Sequence, residues 1–128
     1  MQVLFEAVWN RFKAMPVASE LTELYNTEAS AGAVFPYGVF STNIVPGEGE
    51  FEVDWEDCLI MFVLFSKETL ATEICEAFEA LKTAFDKHDL TVVGYEPISL
   101  ERGSANMIRV EKVWQYNVTY SLLIQKET

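Results

Sequence analysis

Cys58-Leu59-Ile60-Met61-Phe62-Val63-Leu64-Phe65 is an unbroken apolar run with turn-forming Ser66 at its end. It is too short for a membrane span, which needs about 20 apolar residues. It suits a strand buried on both faces. An acidic lead-in, Phe51-Glu52-Val53-Asp54-Trp55-Glu56-Asp57, precedes it and alternates apolar with acidic residues. That alternation describes a strand with one wet face and one apolar face. A strand over residues 51–65 is long, so a bend or bulge is expected near Glu56 and Asp57. After the run, Leu70, Ile74, Phe78, Leu81 and Phe85 recur at helical spacing, with Glu73, Glu76, Glu79 and Lys82 on the other side. The spacing predicts a helix reaching Phe85, with Ser66 as its N-cap and Glu68 favourable in its first turn. A helix of this kind covers one face of the strand. What covers the other face is the question on which function turns.

Upstream, Leu4, Val8 and Phe12 repeat every four residues, with Phe5, Trp9 and Met15 widening the stripe. This predicts an amphipathic helix over residues 2–15, ended by Pro16. A second short helix is expected to follow as far as Tyr25, on Val17, Leu21 and Leu24. A first strand is expected over residues 34–45. Pro46-Gly47-Glu48-Gly49-Glu50 then makes a turn that pairs it with the next strand as an antiparallel hairpin. Downstream, a third strand is expected over residues 90–100 and a turn at Arg102-Gly103-Ser104-Ala105-Asn106. A fourth strand follows from Met107 to Ile124, where Trp114, Tyr116, Val118, Tyr120, Leu122 and Ile124 alternate with mostly polar residues. The fold class expected is α+β: an antiparallel, roughly four-stranded sheet made of two β-hairpins. An N-terminal helix and one long helix pack on one of its faces. The 128 residues suit a single domain over residues 1–128.

The formal net charge is −11, which argues against non-specific binding to nucleic acid or to anionic membrane. Residues 46–65 hold six acids (Glu48, Glu50, Glu52, Asp54, Glu56, Asp57) and no base, more than half of that excess. Cys58 and Cys75 lack metal-ligand spacing and read as free thiols of a reducing cytoplasm. The first residues lack the basic start of a signal peptide. His88, the one histidine, lies among charged residues after the helix and reads as a surface group, with no serine placed to form a triad. The acidic cluster lacks the Asp-x-Asp-x-Asp-Gly loop of a calcium site. Gly47 and Gly49 lack the pattern of a phosphate loop. No catalytic, cofactor-binding or metal-ligating residue is therefore assigned, and no cofactor. Trp55 and Trp114 need not both fit so small a core, and tryptophan is favoured at interfaces. Glu48, Glu50, Glu52, Asp54, Trp55, Arg102, Arg109 and Trp114 are the candidate interface residues, the acids of one copy facing bases of a neighbour.

Phe35-Pro36-Tyr37-Gly38-Val39-Phe40 resembles the entry strand of the tail terminator and tail completion (head–tail joining) proteins of long-tailed bacteriophages and prophages. The Gly/Pro/acid-rich turn, the long apolar strand, the amphipathic helix and the final aromatic strand follow in the order typical of that family. The resemblance implies a non-enzymatic virion protein that forms a ring, commonly hexameric, at the head-proximal end of the tail. Such a ring ends tail-tube growth and offers a surface to the head connector. Its implied partners are further copies of itself, the tail tube protein and the head–tail connector protein, with no direct nucleic-acid or membrane contact. Its implied location is the virion tail, assembled in the cytoplasm of a bacterial host. Two other readings compete. One is a small-molecule-binding or regulatory α+β domain with its ligand between helix and sheet. The other is a small enzyme using carboxylates of residues 48–57.

Overall fold

The computed structural model describes residues 2–15, 20–45, 55–86 and 90–126, with Val45 and Trp55 as strand positions only. The elements run α1 (Gln2–Ala14), β1 (Leu24–Asn26), β2 (Tyr37–Val45), β3 (Trp55–Ser66), α2 (Thr72–Phe85), β4 (Tyr95–Val110) and β5 (Val113–Lys126). They form a five-stranded sheet in the order β1-β2-β3-β5-β4. The pair β1–β2 is parallel and the other three are antiparallel. The class is α+β as the sequence predicts, with one strand more than expected.

The apolar run is the middle strand because its residues tolerate neighbours on both edges and burial on a face. Cys58, Ile60, Phe62 and Leu64 are fully buried under the helices. Leu59, Met61, Val63 and Phe65 occupy the opposite face, half-buried or exposed. The period of two was present all along, hidden because both faces are apolar. The expected bend near Glu56 and Asp57 does not occur. β3 keeps one register with β2 from Asp57 to Phe65 and with β5 from Trp55 to Ser66.

Both helices lie on the same face. From α1, Leu4, Ala7, Val8 and Phe12 enter the core; from α2, Ile74, Ala77, Phe78, Leu81, Ala84 and Phe85 do. Phe5 of α1 meets Phe40 edge-on at 6.5 Å between ring centroids. Phe85 of α2 lies 4.9 Å from Phe62. Arg11 donates to the Ala84 carbonyl at 2.8 Å, joining the C-terminal ends of the two helices.

Four further expectations need correction. The helix expected up to Tyr25 is replaced over its last residues by β1; residues 16–19 lie outside the described residues. Leu21 and Leu24 are buried, but three-residue spacing on so short a segment does not distinguish helix from other solutions. Gly38 decides it. A Cβ there would lie 3.0 Å from both the Leu24 and Leu64 side chains, so its absence lets β1 close on β2. Backbone bonds from Gly38 N–H to the Glu23 carbonyl (3.0 Å) and from Thr22 N–H to the Pro36 carbonyl (2.7 Å) hold it there.

Helix α2 begins at Thr72, not at Ser66. Ser66 ends β3, fully buried. Its hydroxyl donates to Glu73 Oε1 at 2.6 Å and accepts from the Glu68 N–H at 3.3 Å. It thus ties the connection to the first turn of α2. Leu70 falls in that connection and is 72% exposed, although it fits the helical period. Leu70→Ser should therefore shift stability by no more than about 0.5 kcal/mol in urea unfolding. Leu81→Ala, at a fully buried position, should cost about 2–5 kcal/mol.

The turn expected at residues 102–106 is instead an irregularity inside β4, where register shifts between Arg102 and Ala105. Thr119 stands opposite, its hydroxyl accepting the Ser104 N–H at 3.0 Å. A second shift lies between Pro97 and Ser99, on an edge strand where proline is tolerated. The chain reverses only at Glu111 and Lys112, between the paired Val110 and Val113. Their φ values are 50° and 68°, as a two-residue type I′ hairpin requires. Residues 107–110 therefore belong to β4, and the third strand starts at Tyr95 rather than near Leu90. Lys112→Gly relieves a left-handed lysine that costs about 1–2 kcal/mol. A gain of about 0.5–1 kcal/mol should remain in urea unfolding after the entropy lost on ordering glycine.

Candidate assembly surface

The sheet face opposite the helices has no covering element among the described residues. Its central strands present Val39, Leu59, Met61, Val63 and Phe65 as an apolar stripe, Met61 being 37% exposed. β5 adds a stripe of uncharged polar groups beside it. The registers place Thr119 next to Met61, Asn117 next to Val63 and Gln115 next to Phe65. At one end Phe65 stacks on Tyr37 at 4.9 Å, and Tyr37 in turn meets Phe35 (5.0 Å) and Tyr25 (5.9 Å). Between Tyr37 and Asn43 on β2, Leu59 and Phe65 on β3, and Gln115 and Gln125 on β5, no residue of this face is charged. That is unusual for an open face of a chain in which 23% of residues are charged.

Strand β4 is the second exposed feature. Every one of residues 101–110 is exposed, on both faces of the strand. Its large apolar side chains Ile98 (41%), Met107 (38%), Ile108 (41%) and Val110 (46%) stand open.

The candidate interface residues are distributed rather than gathered. Glu48, Glu50, Glu52 and Asp54 lie outside the described residues, as does His88. Trp55 opens β3 opposite Gln125, whereas Trp114 sits opposite Ser66 at the other end of the same ladder. Trp114 packs against the core, and its indole Nε1 is buried without a described partner. Arg109 lies over the Trp114 ring at 4.8 Å and donates to the Thr69 carbonyl at 2.8 Å. Arg102 donates to Asp86 Oδ2 at 2.9 Å and lies 5.9 Å from the Phe78 ring. Both arginines therefore clamp the β4–β5 hairpin onto the ends of α2. Sequence reasoning raised the second face of the apolar run but missed the apolar side chains of β4. Met107 and Ile108, adjacent on a strand, were the visible signal, since neighbours on a strand point to opposite faces.

Asp86 ties the end of α2 to both strands of the last hairpin. It follows the last residue of α2 and accepts from the Tyr120 hydroxyl at 2.6 Å as well as from Arg102. Burial, then the hydrogen bond to Asp86, pushes the Tyr120 phenol far above its ordinary range. Cys58 is pushed up to about 11 by burial and then by the charges of Glu56 and Asp57. Both cysteines are free.

The space between α2 and the sheet is filled. Phe78 stacks on Tyr116 at 4.0 Å, and Tyr120 meets Phe62 edge-on at 5.8 Å. Open grooves lie elsewhere. One of about 780 Å³ runs along the outer side of α2 past Cys75, Glu76 and Glu79, and one of about 410 Å³ lies between Phe5, Trp9 and Tyr25. Among the described residues no three His, Cys, Asp or Glu side chains group as metal ligands. Among them, too, no helix is long and apolar enough to cross a membrane.

The molecule thus belongs to the α+β class with an antiparallel core sheet, helices on one face and the other face open. No protein-family model matches the chain, and no curated protein matches it in sequence. Among solved structures, a chain from the virion of a native gene transfer agent particle shares the fold. The TM-score is 0.80 at 13% sequence identity, over 92% of this chain and 91% of that one.

Proposed function

We propose that this protein is a structural, non-enzymatic component of a phage-like virion. It assembles into a ring, of six copies as is common in the family it resembles, at the head-proximal end of the tail. There it ends growth of the tail tube and joins the tail to the head. The observation that carries the reading is the fold shared with a gene transfer agent virion chain over nearly the full length of both. The order of sequence features that resembles tail terminator and tail completion proteins agrees with it. The uncharged middle of the open sheet face adds a surface suited to protein contact, since a large uncovered apolar patch marks an interaction site. Its partners in this reading are further copies of the chain, the tail tube protein and the head–tail connector protein. Its place is the head–tail interface of the virion.

Deleting the gene from its phage or prophage tests the proposal. Tails of uncontrolled length, separate from filled heads, are expected by electron microscopy. Normal joined particles from the deletion strain would remove the reading. Native mass spectrometry of the purified chain, alone and with tail tubes, gives the ring's subunit number.

A further inference from the structure

We infer that copies of this chain join edge to edge, β4 of one against the open end of β2 of the next. This rests on the ring reading and specifies its contact. Natural sheets shield their edges, because unpaired backbone groups recruit another strand. Here the outer edge of β4 is shielded at one end only, by Pro97 and two irregularities. From Ala105 to Val110 it runs in regular register with β5, its outer side free among the described residues.

Among the described residues the opposite edge of the sheet is open too. β1 is three residues long and pairs with residues 38–40 of β2 alone. Even-numbered positions of β2 turn their backbone outward: Gly38 N–H donates to the Glu23 carbonyl, and the Phe40 carbonyl accepts from Thr27 N–H. By the strand's period of two, the amides and carbonyls of Thr42 and Ile44 point the same way. No described residue bonds to them.

Charge selects a second copy as the occupant. Copies of net charge −11 repel across most of their surfaces. The two edges escape this: residues 41–45 and residues 103–108 contain no charged side chain. Arg102 and Arg109, which flank the second run, are turned to the helix side and engaged there by Asp86 and by Thr69 and Trp114. Pairing of these two uncharged stretches sets no like charges against each other, and one chain supplies both halves of the contact. Because the edges lie on opposite sides of one sheet, the contact is head-to-tail, the kind that closes into a ring.

Disulfide trapping tests it. The background is Cys75→Ser, with buried Cys58 retained, at a concentration where native mass spectrometry shows the wild type assembled. Ile44→Cys is combined with Met107→Cys, or with Ala105→Cys two residues away on the same face. Mild oxidation of a double variant should give a ladder of covalent multimers ending at the ring size. The single variants should give none. As an independent arm, Ile44→Lys with Met107→Lys should weaken assembly at least about tenfold while the melting temperature of the monomer holds. Covalent dimers from Met107→Cys alone would mean β4 pairs with itself and would overturn the inference. Rings that form in the lysine variant as in the wild type, with no ladder from either double variant, overturn it while the ring reading stands. A wild type that never assembles, even on tail tubes, removes both.

Discussion

Phe62→Ala is expected to cost about 3–5 kcal/mol. Phe62 lies at the middle of the middle strand, fully buried. Its ring meets Phe85 of α2 at 4.9 Å, Tyr120 of β5 at 5.8 Å and Phe40 of β2 at 6.4 Å. Removing it opens a cavity where three elements converge, and large neighbouring rings do not collapse readily into the space. Val63→Ala, one residue along, truncates a side chain of the uncovered face and should cost only about 1 kcal/mol. Urea unfolding of the two variants measures the difference. Equal losses would mean that the two sheet faces are equally covered, contrary to the arrangement described.

Asp86→Ala is expected to cost about 1–3 kcal/mol by leaving the buried Tyr120 hydroxyl without its acceptor. Tyr120→Phe removes donor and demand together and should cost less. In the Tyr120→Phe background, Asp86→Ala should cost only what the partly exposed pair with Arg102 contributes, at most about 1 kcal/mol. The same contact has a pH signature. The folded-state pKa of Tyr120 is raised, so folding favours the neutral phenol. Its contribution is complete below pH about 10, the ordinary tyrosine value, and is lost as pH rises above it. Cys58, raised from 9.0 to about 11, adds a loss of the same sign that begins near pH 9. Tyr120→Phe should therefore flatten the decline of stability at alkaline pH without abolishing it. An unchanged alkaline slope would show that Tyr120 does not favour its neutral form in the fold.

The strongest periodic signals were legible in the sequence for a common reason: each belongs to an element whose core contacts repeat along its length. Helix α1, the core face of α2 and the alternation of β5 all follow from repetition of that kind. Errors arose where a local signal competed with a distant one. Gly103-Ser104-Ala105-Asn106 has turn composition, yet Thr119 across the ladder accommodates it as an irregular strand. Glu111 and Lys112 lack turn composition, yet the register of β4 on β5 places the reversal on them. Leu70 continues a helical period, yet the connection tied down by Ser66 leaves it in water. Of the candidate contact surface, the acidic segment was visible as charge. The second face of the apolar run was visible as a question, but whether another element of the chain covers it was not, because the run reads the same whether that face is covered or bare.

The sequence by itself determined that Cys58-Leu59-Ile60-Met61-Phe62-Val63-Leu64-Phe65 forms a buried strand, that two amphipathic helices accompany it on one face and that the class is α+β. Composition and period are local properties, and they suffice for that. Tertiary structure alone decided that the apolar run lies at the centre of the sheet, that β1 adds a fifth strand through the gap at Gly38, and that β4 stays exposed. These outcomes depend on which surfaces meet across the chain. No stretch of sequence carries that information until the sheet brings its strands into register.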